Sequence, residues 1–219
     1  MTFFQNSLAP HRQKIYNVRN THHEKEVNMR QETIYNIFSH FPPLETKRLH
    51  LRALRVSDAA DMYDYARRPE VTRYLLWNPH ADIGYTKRYL EYLAGRYRLG
   101  QFYDWALISK EDGRMIGTCG FVRFDYPHNG AELGYVLNPD YHGKGLMTEA
   151  ARRVLQFGFS VLGLHRVEAR YMVENAPSRQ VMEHLGMTFE GVRRSSMLVK
   201  GLYRDIGICS ILANEFRAE

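Results

Sequence analysis

The segment from Asn138 to Phe159, NPDYHGKGLMTEAARRVLQFGF, brackets a lysine with Gly143 and Gly145 and then carries no acidic residue until Glu149. Leu146, Ala150, Val154, Phe157 and Val161 follow at three- and four-residue spacing, which predicts a helix with one apolar face against a sheet. The first turn of such a helix leaves backbone N–H groups unpaired, with the positive end of the dipole beside them. Glycine at 143 and 145 removes side chains that would block a ligand, so the segment can hold a phosphate. The same glycines also suit a tight strand-to-helix turn that needs them only for its dihedrals. Spacing alone leaves both readings open.

Two familiar phosphate motifs do not fit. A Walker loop requires Ser or Thr after Gly143-Lys144 and a glycine at 138, where the chain has Gly145 and Asn138. The dinucleotide fingerprint requires a third glycine at 148, which is Thr, and the segment follows strands of antiparallel character. ATP hydrolysis and hydride transfer both lose support.

LGYVLNPDYHGKGLMTEA instead resembles the acyl-CoA-binding motif of the GNAT N-acetyltransferase superfamily: Arg or Gln, two residues, Gly, one residue, then Gly or Ala. ENAPSRQVMEHLGMTFEG is similar to the segment that follows in that family, where Asn starts a helix ending in Leu-Gly-Phe. With ETKRLHLRAL and GLYRD, the likeness is greatest to the RimJ/RimL-type branch, the ribosomal-protein N-terminal acetyltransferases, and spans about Leu44 to Phe216. The chain departs from the pattern at Asp140, where relatives carry Arg or Gln, so that position is not expected to touch phosphate. Met187 replaces the usual Phe. Met182 stands where many members place a catalytic Tyr, and a thioether donates no proton.

The resemblance implies acetyl-CoA as co-substrate, with the amides of His142, Gly143, Lys144, Gly145, Leu146 and Met147 around its pyrophosphate. It places the pantetheine arm along the backbone of Tyr135, Val136 and Leu137, where two parallel strands splay. An amide of Val136 or Leu137 would face the thioester oxygen. Asn175 would bond the arm or a bridging water; it also reads as an ordinary helix N-cap before Pro177. An α-amine with a pKa near 8 is about one-tenth neutral at pH 7, whereas a lysine near ~10.4 must first lose a further ~2.5 units, roughly 3.4 kcal/mol. An α-amine acceptor therefore needs only a modest base. Glu132, on the strand leading to the loop, is the candidate; a solvated or salt-bridged carboxylate is the other reading. Ser178 resembles the serine this branch uses in place of the missing tyrosine, relaying a proton to the thiolate or bonding the sulfur. It also reads as a surface serine in a first helical turn. Trp77 and its neighbours from Tyr74 fall where relatives build the acceptor pocket; an aromatic there reads either as packing a peptide N-terminus or as simply filling the domain. Asp205 reads either as a residue that orients a turn or as one that touches substrate, and Cys119 as a buried strand thiol without a base.

These residues need elements to hold them. RLHLRAL (Arg48 to Leu54) predicts a strand, Ser57 an N-cap for a helix through Arg67, and Asp82 to Arg98 a second helix. FYDWALISK, RMIGTCGFVRF and AELGYVL predict three strands, the first two joined by a hairpin at Glu111-Asp112-Gly113. The loop helix, the strand HRVEARYM, a short helix closed by Gly186, and a final hairpin turning at Lys200-Gly201 complete the order. This is an α/β (α+β) fold of the GNAT kind: a mixed, mostly antiparallel sheet with a splayed parallel pair, flanked by helices. Residues 1–43 read as an N-terminal extension ending at the helix-breaking Phe41-Pro42-Pro43, and 44–219 as the acetyltransferase domain. Met29 reads as an alternative start, with residues 1–28 upstream of it.

Composition sets the outer bounds. The 219 residues are 44% hydrophobic and 13% aromatic, enough for one substantial core. Two distant cysteines form no ligand cluster, and neither they nor the pairs such as His22-His23 predict a metal. The run VLQFGFSVLGL is too short to cross a bilayer, so a cytoplasmic protein without membrane contact is expected. The net charge of +6 is spread without a dense basic run, and direct nucleic-acid binding is not expected. The expected partners are acetyl-CoA and an amine acceptor, foremost a protein N-terminus such as that of a ribosomal protein, with the chain a monomer or homodimer. The competing acceptor is a polyamine or aminoglycoside, for which Asp58, Asp61, Asp64 and Glu70 could supply acid. The competing class is a non-catalytic acyl-CoA-binding or ribosome-associated module.

Overall fold

The computed structural model describes residues 30–217; His11, His22, His23 and the start at Met29 lie outside them. One eight-stranded sheet runs in the order β1-β2-β3-β4-β5-β6-β8-β7. Its strands are β1 (Leu44–Glu45), β2 (Leu49–Arg52), β3 (Asp104–Ser109), β4 (Met115–Asp125), β5 (Gly130–Leu137), β6 (Arg166–Met172), β7 (Thr188–Val199) and β8 (Leu202–Leu212). All neighbouring pairs are antiparallel except β5 and β6, which are parallel from Gly130↔Arg166 to Leu133↔Ala169 and then part. A parallel neighbour needs a crossover, and helix α5 (Leu146–Ser160) supplies it.

The side-chain alternation of the strands divides the core between the two faces of the sheet. Trp105, Leu107, Cys119 and Leu133 pack with Ala150, Val154 and Phe157 of α5. Ala106 and Met115 face the other way, onto α2 (Ala59–Ala66) and α4 (Ile83–Arg98) through Met62, Leu90 and Leu93. Helix α1, residues 30–39, inserts Ile34 and the fully buried Phe38 into the α5-side core. A further short helix, α3 (Pro69–Thr72), follows α2, and α6 (Ala176–His184) lies after β6.

Local chemistry explains the element ends. Asp82 caps α4, its Oδ1 accepting the Tyr85 N–H at 2.6 Å. Gly186, at φ +79°, closes α6, where Met187 N–H reaches back to Met182 O at 3.0 Å. Lys200 and Gly201, at φ +50° and +80°, make the two-residue turn that joins β7 to β8. Three expectations change. Ser57 is not an N-cap: it sits inside a 3₁₀ turn (Val56–Asp58) closed by Asp58, whose carboxylate accepts the Arg55 N–H at 2.8 Å, and α2 follows from Asp58 without a side-chain cap. Val161 lies beyond the last turn of α5 and is 56% exposed rather than facing the sheet. The two-residue strand β1 and the short helices α1 and α3 add to the predicted order, being too short or too weakly periodic to show in sequence.

Candidate active site

The loop from β5 to α5 begins with a 3₁₀ turn, Pro139–Tyr141, anchored by Asn138, whose Oδ1 accepts the Asp140 N–H at 3.1 Å. Gly143 and Gly145 then take the left-handed conformation, φ +74° and +72°, where a Cβ is strained, and Gly145 is the N-cap of α5. No amide from Gly143 to Thr148 donates to a described residue; the next bond is Glu149 N–H to Gly145 O at 3.1 Å. A Cβ on Gly143 would meet nothing within 4 Å, so this glycine opens onto space and is not wedged against the fold. Arg48 fixes the far side of the loop, donating to Lys144 O at 2.8 Å while its Nε pairs with Glu149 at 2.6 Å. These free donors at a positive helix end suit a diphosphate. His142 is a correction: its amide is spent on Pro139 O at 3.0 Å, so the free run starts one residue later and extends to Thr148. Asp140 is turned aside as its charge requires, bonded by both Arg68 Nη atoms at 2.8 and 2.9 Å, and the Arg68 pair holds it below the usual carboxylate range.

The splay lies beside this loop. Beyond Leu133, β5 bonds β4 but not β6, which leaves one edge of Gly134 to Leu137 open. Asn138 N–H donates to Ile116 O on β4 at 2.7 Å. Alternation then directs the Val136 amide toward β4 as well, and the Tyr135 and Leu137 amides toward the gap. This corrects Val136 as a donor to the thioester and favours Leu137. Across the gap, the Tyr135 hydroxyl donates to Ser178 O at 2.9 Å and lies 3.1 Å from Ser178 Oγ. Burial pushes the Tyr135 phenol well above its ordinary range, so it keeps its proton at neutral pH. Asn175 caps α6 through Oδ1, which accepts Ser178 N–H at 3.3 Å, and its Nδ2 has no partner among the described residues.

On the other face of the sheet, under α2 and α4, lies a cavity of about 170 Å³. Trp77, His80, Tyr85, Tyr89 and Phe102 form much of its wall, and Val136 of β5 reaches its floor. Trp77 therefore stands where the sequence placed an acceptor pocket. His80 packs tilted against Trp77 and edge-on to Tyr85, with ring centroids at 5.2 and 4.9 Å, and burial pushes its pKa down, favouring the neutral ring. One carboxyl, Asp104, enters this cavity, and burial pushes it up to about 7. It escaped the sequence reading because a lone Asp at a strand start looks like any solvated residue; the alternation of Trp105 and Leu107 was the available signal.

Most of the other candidate acids are engaged, whereas Glu70 has no partner among the described residues. Glu132 Oε2 lies 2.7 Å from Arg123 Nε and 3.5 Å from Arg170 Nε, within a network that includes Glu168 and Arg166. Asp58 pairs with Arg52, Asp61 with Arg114, and Asp64 with both Arg68 and Arg114. Asp205 of β8 accepts the N–H of Ser195 of β7 at 2.7 Å, at the bulge between Arg193 and Met197, and Cys119 is fully buried with its thiol pushed up by desolvation. Among the described residues no group of three His, Cys, Asp or Glu could hold a metal, and no helix is long and apolar enough to cross a membrane.

Known proteins resemble this chain in sequence and in fold. The uncharacterised N-acetyltransferase p20 of Bacillus licheniformis is 34% identical over 173 residues, 79% of this chain and 97% of its own length. Two relatives match over 108 residues, 49% of this chain: YdaF of Bacillus subtilis, a candidate ribosomal N-acetyltransferase, at 33% identity and 59% of its length, and the spermidine N(1)-acetyltransferase of Escherichia coli at 31% and 58%. The crystal structure of a GNAT-family acetyltransferase from Bacillus anthracis superposes with a TM-score of 0.71 at 26% identity, covering 80% of this chain and all of that one. Residues 48–188 match the acetyltransferase (GNAT) domain model, a family that uses acetyl-CoA. The chain belongs to the GNAT acetyltransferase family and is an acetyl-transferring enzyme, which sets aside the non-catalytic reading.

Proposed function

We propose that the enzyme acetylates the α-amine at a protein N-terminus, with ribosomal proteins as the leading acceptors, by direct attack in a ternary complex. The observation that carries this reading is one opening served from two faces. Free loop amides and the β5 edge lie at the splay, and an aromatic cavity meets the same strand from below. Gly143 to Met147 would hold the diphosphate by their amides, and Leu137 N–H would support the oxygen of the tetrahedral intermediate. Asn175 Nδ2 would bond the pantetheine arm. Tyr135 and Ser178, linked at 3.1 Å, would pass a proton to the departing thiolate. Glu132 remains the base expected from sequence, although two guanidinium groups occupy it.

Relatives named for ribosomal and for spermidine acetylation both match, so the acceptor must be argued from the cavity. A polyamine needs several unpaired carboxylates. Here Asp58, Asp61 and Asp64 are neutralised by arginines, which leaves Glu70 as the one of the four acids without a partner among the described residues, and aromatic rings dominate the wall. A single ammonium on an apolar body suits that wall, which is the chemistry of an N-terminal residue with a small side chain. Incubation with acetyl-CoA, a set of peptides beginning with Ala, Ser or Met, and spermidine, read by mass, tests the choice. Acetylated peptide α-amine is expected. Turnover confined to spermidine would overturn the acceptor.

A further inference from the structure

The sheet face toward the acceptor cavity contains a row with almost no side chains. Asp104 on β3 pairs with Gly120 on β4, and Gly120 pairs with Gly134 on β5. Gly134 is also the first residue of β5 beyond its last pair with β6, so the row ends at the splay. Asp104 lies on the same face as Ala106, under α4, because Trp105 and Leu107 point into the opposite core. Its carboxyl leans over Gly120: a Cβ on that glycine would stand 2.6 Å from Asp104 Oδ1. Gly120 has an ordinary backbone conformation, with no positive φ, so what excludes larger residues there is space. A Cβ on Gly134 would stand 2.5 Å from Val122 Cγ2, so Val122 covers the row at its β5 end, and Asp104 approaches the splay through the cavity that it lines together with Val136 of β5.

Neither carboxylate oxygen of Asp104 receives a hydrogen bond from a described residue, and no Lys or Arg lines the cavity. The titratable groups around it are His80 from the α3–α4 segment, Tyr65 of α2, Tyr85, Tyr89 and Tyr97 of α4, and Cys119 from the far side of β4. Burial favours the neutral imidazole and raises Tyr65, Tyr97 and Cys119, with Tyr89 pushed up to about 12, so none is a cation at pH 7. Glu132 contrasts in its charge environment: it lies beside the splay on the same face, but Arg123 and Arg170 both pair with its Oε2, at 2.7 and 3.5 Å.

We propose that Asp104, not Glu132, is the general base of acetyl transfer, and that the acceptor enters the cavity as a singly charged ammonium with an apolar substituent. This inference rests on the acetyl-transfer reading and refines its acceptor. The ammonium first gives one proton to the Asp104 carboxylate. The freed nitrogen lone pair attacks the thioester carbonyl carbon, forming C–N, and collapse of the tetrahedral intermediate breaks C–S. The second N–H proton goes to the thiolate through the Tyr135–Ser178 hydroxyls. The products are the amide and the free thiol of coenzyme A, and Asp104 releases its proton to solvent. A carboxyl that titrates near neutral pH, as burial makes this one, is well matched to an α-amine of pKa near 8.

The test measures thiol release from acetyl-CoA between pH 5.5 and 9 with an Ala-initiated peptide, phenethylamine and spermidine, using wild type, Asp104→Asn and Glu132→Gln. Melting temperatures confirm that each variant is folded, and carbon-detected NMR of aspartate-labelled wild type follows the Asp104 carboxyl directly. In wild type, kcat/KM is expected to rise through a pKa near neutrality. Asp104→Asn should lower it at pH 7 by about 100-fold or more and flatten that limb, with acetyl-CoA affinity unchanged. Glu132→Gln should keep the limb. A limb that survives in Asp104→Asn within threefold, or that disappears only in Glu132→Gln, would overturn the assignment, as would a carboxyl titrating near 4. Turnover of spermidine alone would sink the acceptor class while leaving the comparison of the two carboxylates decisive. No turnover by wild type on any of the three amines would overturn both readings together.

Discussion

Tyr135 and Ser178 show how one pair of hydroxyls can stand in for a missing residue. The tyrosine common in this family is absent at Met182, which is instead fully buried under α6. A phenol from β5 reaches the same helix and meets Ser178 Oγ at 3.1 Å. If the two act as one relay, Tyr135→Phe and Ser178→Ala should each lower kcat about 10- to 100-fold with acetyl-CoA affinity unchanged. The double variant should then be no slower than the worse single one. Multiplicative losses in steady-state kinetics would separate them. Sequence resemblance reached Ser178 and the loop glycines because short motifs carry them. It could not reach Asp104, which is defined by register across three strands, nor foresee that Arg123 and Arg170 converge on Glu132 from β4 and β6. The direction of the Val136 amide is likewise a property of pairing with β4, invisible in residue type.

Helix α1 is the element whose role the sequence understated. Read as part of a polar extension, residues 30–39 instead place Phe38 against Tyr103, Trp105 and Phe157, with ring centroids at 4.9, 5.5 and 6.1 Å. Tyr103 and Trp105 flank Asp104, so this packing also steadies the start of β3. Phe38→Ala should cost roughly 3–5 kcal/mol, or about 10 °C in Tm, measured by calorimetry. A shift under 2 °C would mean that α1 rests loosely on the sheet. The longer amphipathic helices α4 and α5 were legible because apolar period and caps agree over 15 residues or more. Ser57 and its neighbour Asp58 are competing cap candidates in sequence, and the Arg52–Asp58 ion pair at 2.7 Å, which residue type does not reveal, decides between them.

At the scale of the whole molecule, two cores on opposite faces of one sheet leave β5 accessible from both, the loop amides at its end and the aromatic cavity beneath it. Holding a carboxyl in such a cavity affects stability. Asp104 is pushed up to about 7, so between about pH 4 and 7 the folded protein binds a proton that the unfolded chain does not. The stability this group contributes is therefore present below about pH 4 and lost as pH rises through 7. Asp140 and Glu190, held low by Arg68 and Arg166, act in the opposite sense and cancel when variant and wild type are compared. Asp104→Asn should match the wild-type Tm at pH 4 and exceed it at pH 8; a difference independent of pH would contradict the buried carboxyl. The central claim is that the unpaired amides after β5 bind the diphosphate of acetyl-CoA. Titration calorimetry of acetyl-CoA with wild type and Gly143→Val tests it most directly, since a Cβ at φ +74° meets no neighbour within 4 Å yet strains the loop by about 1–2 kcal/mol. The account predicts a folded variant with affinity lowered roughly 10-fold or more. Equal affinity for the two proteins would contradict it.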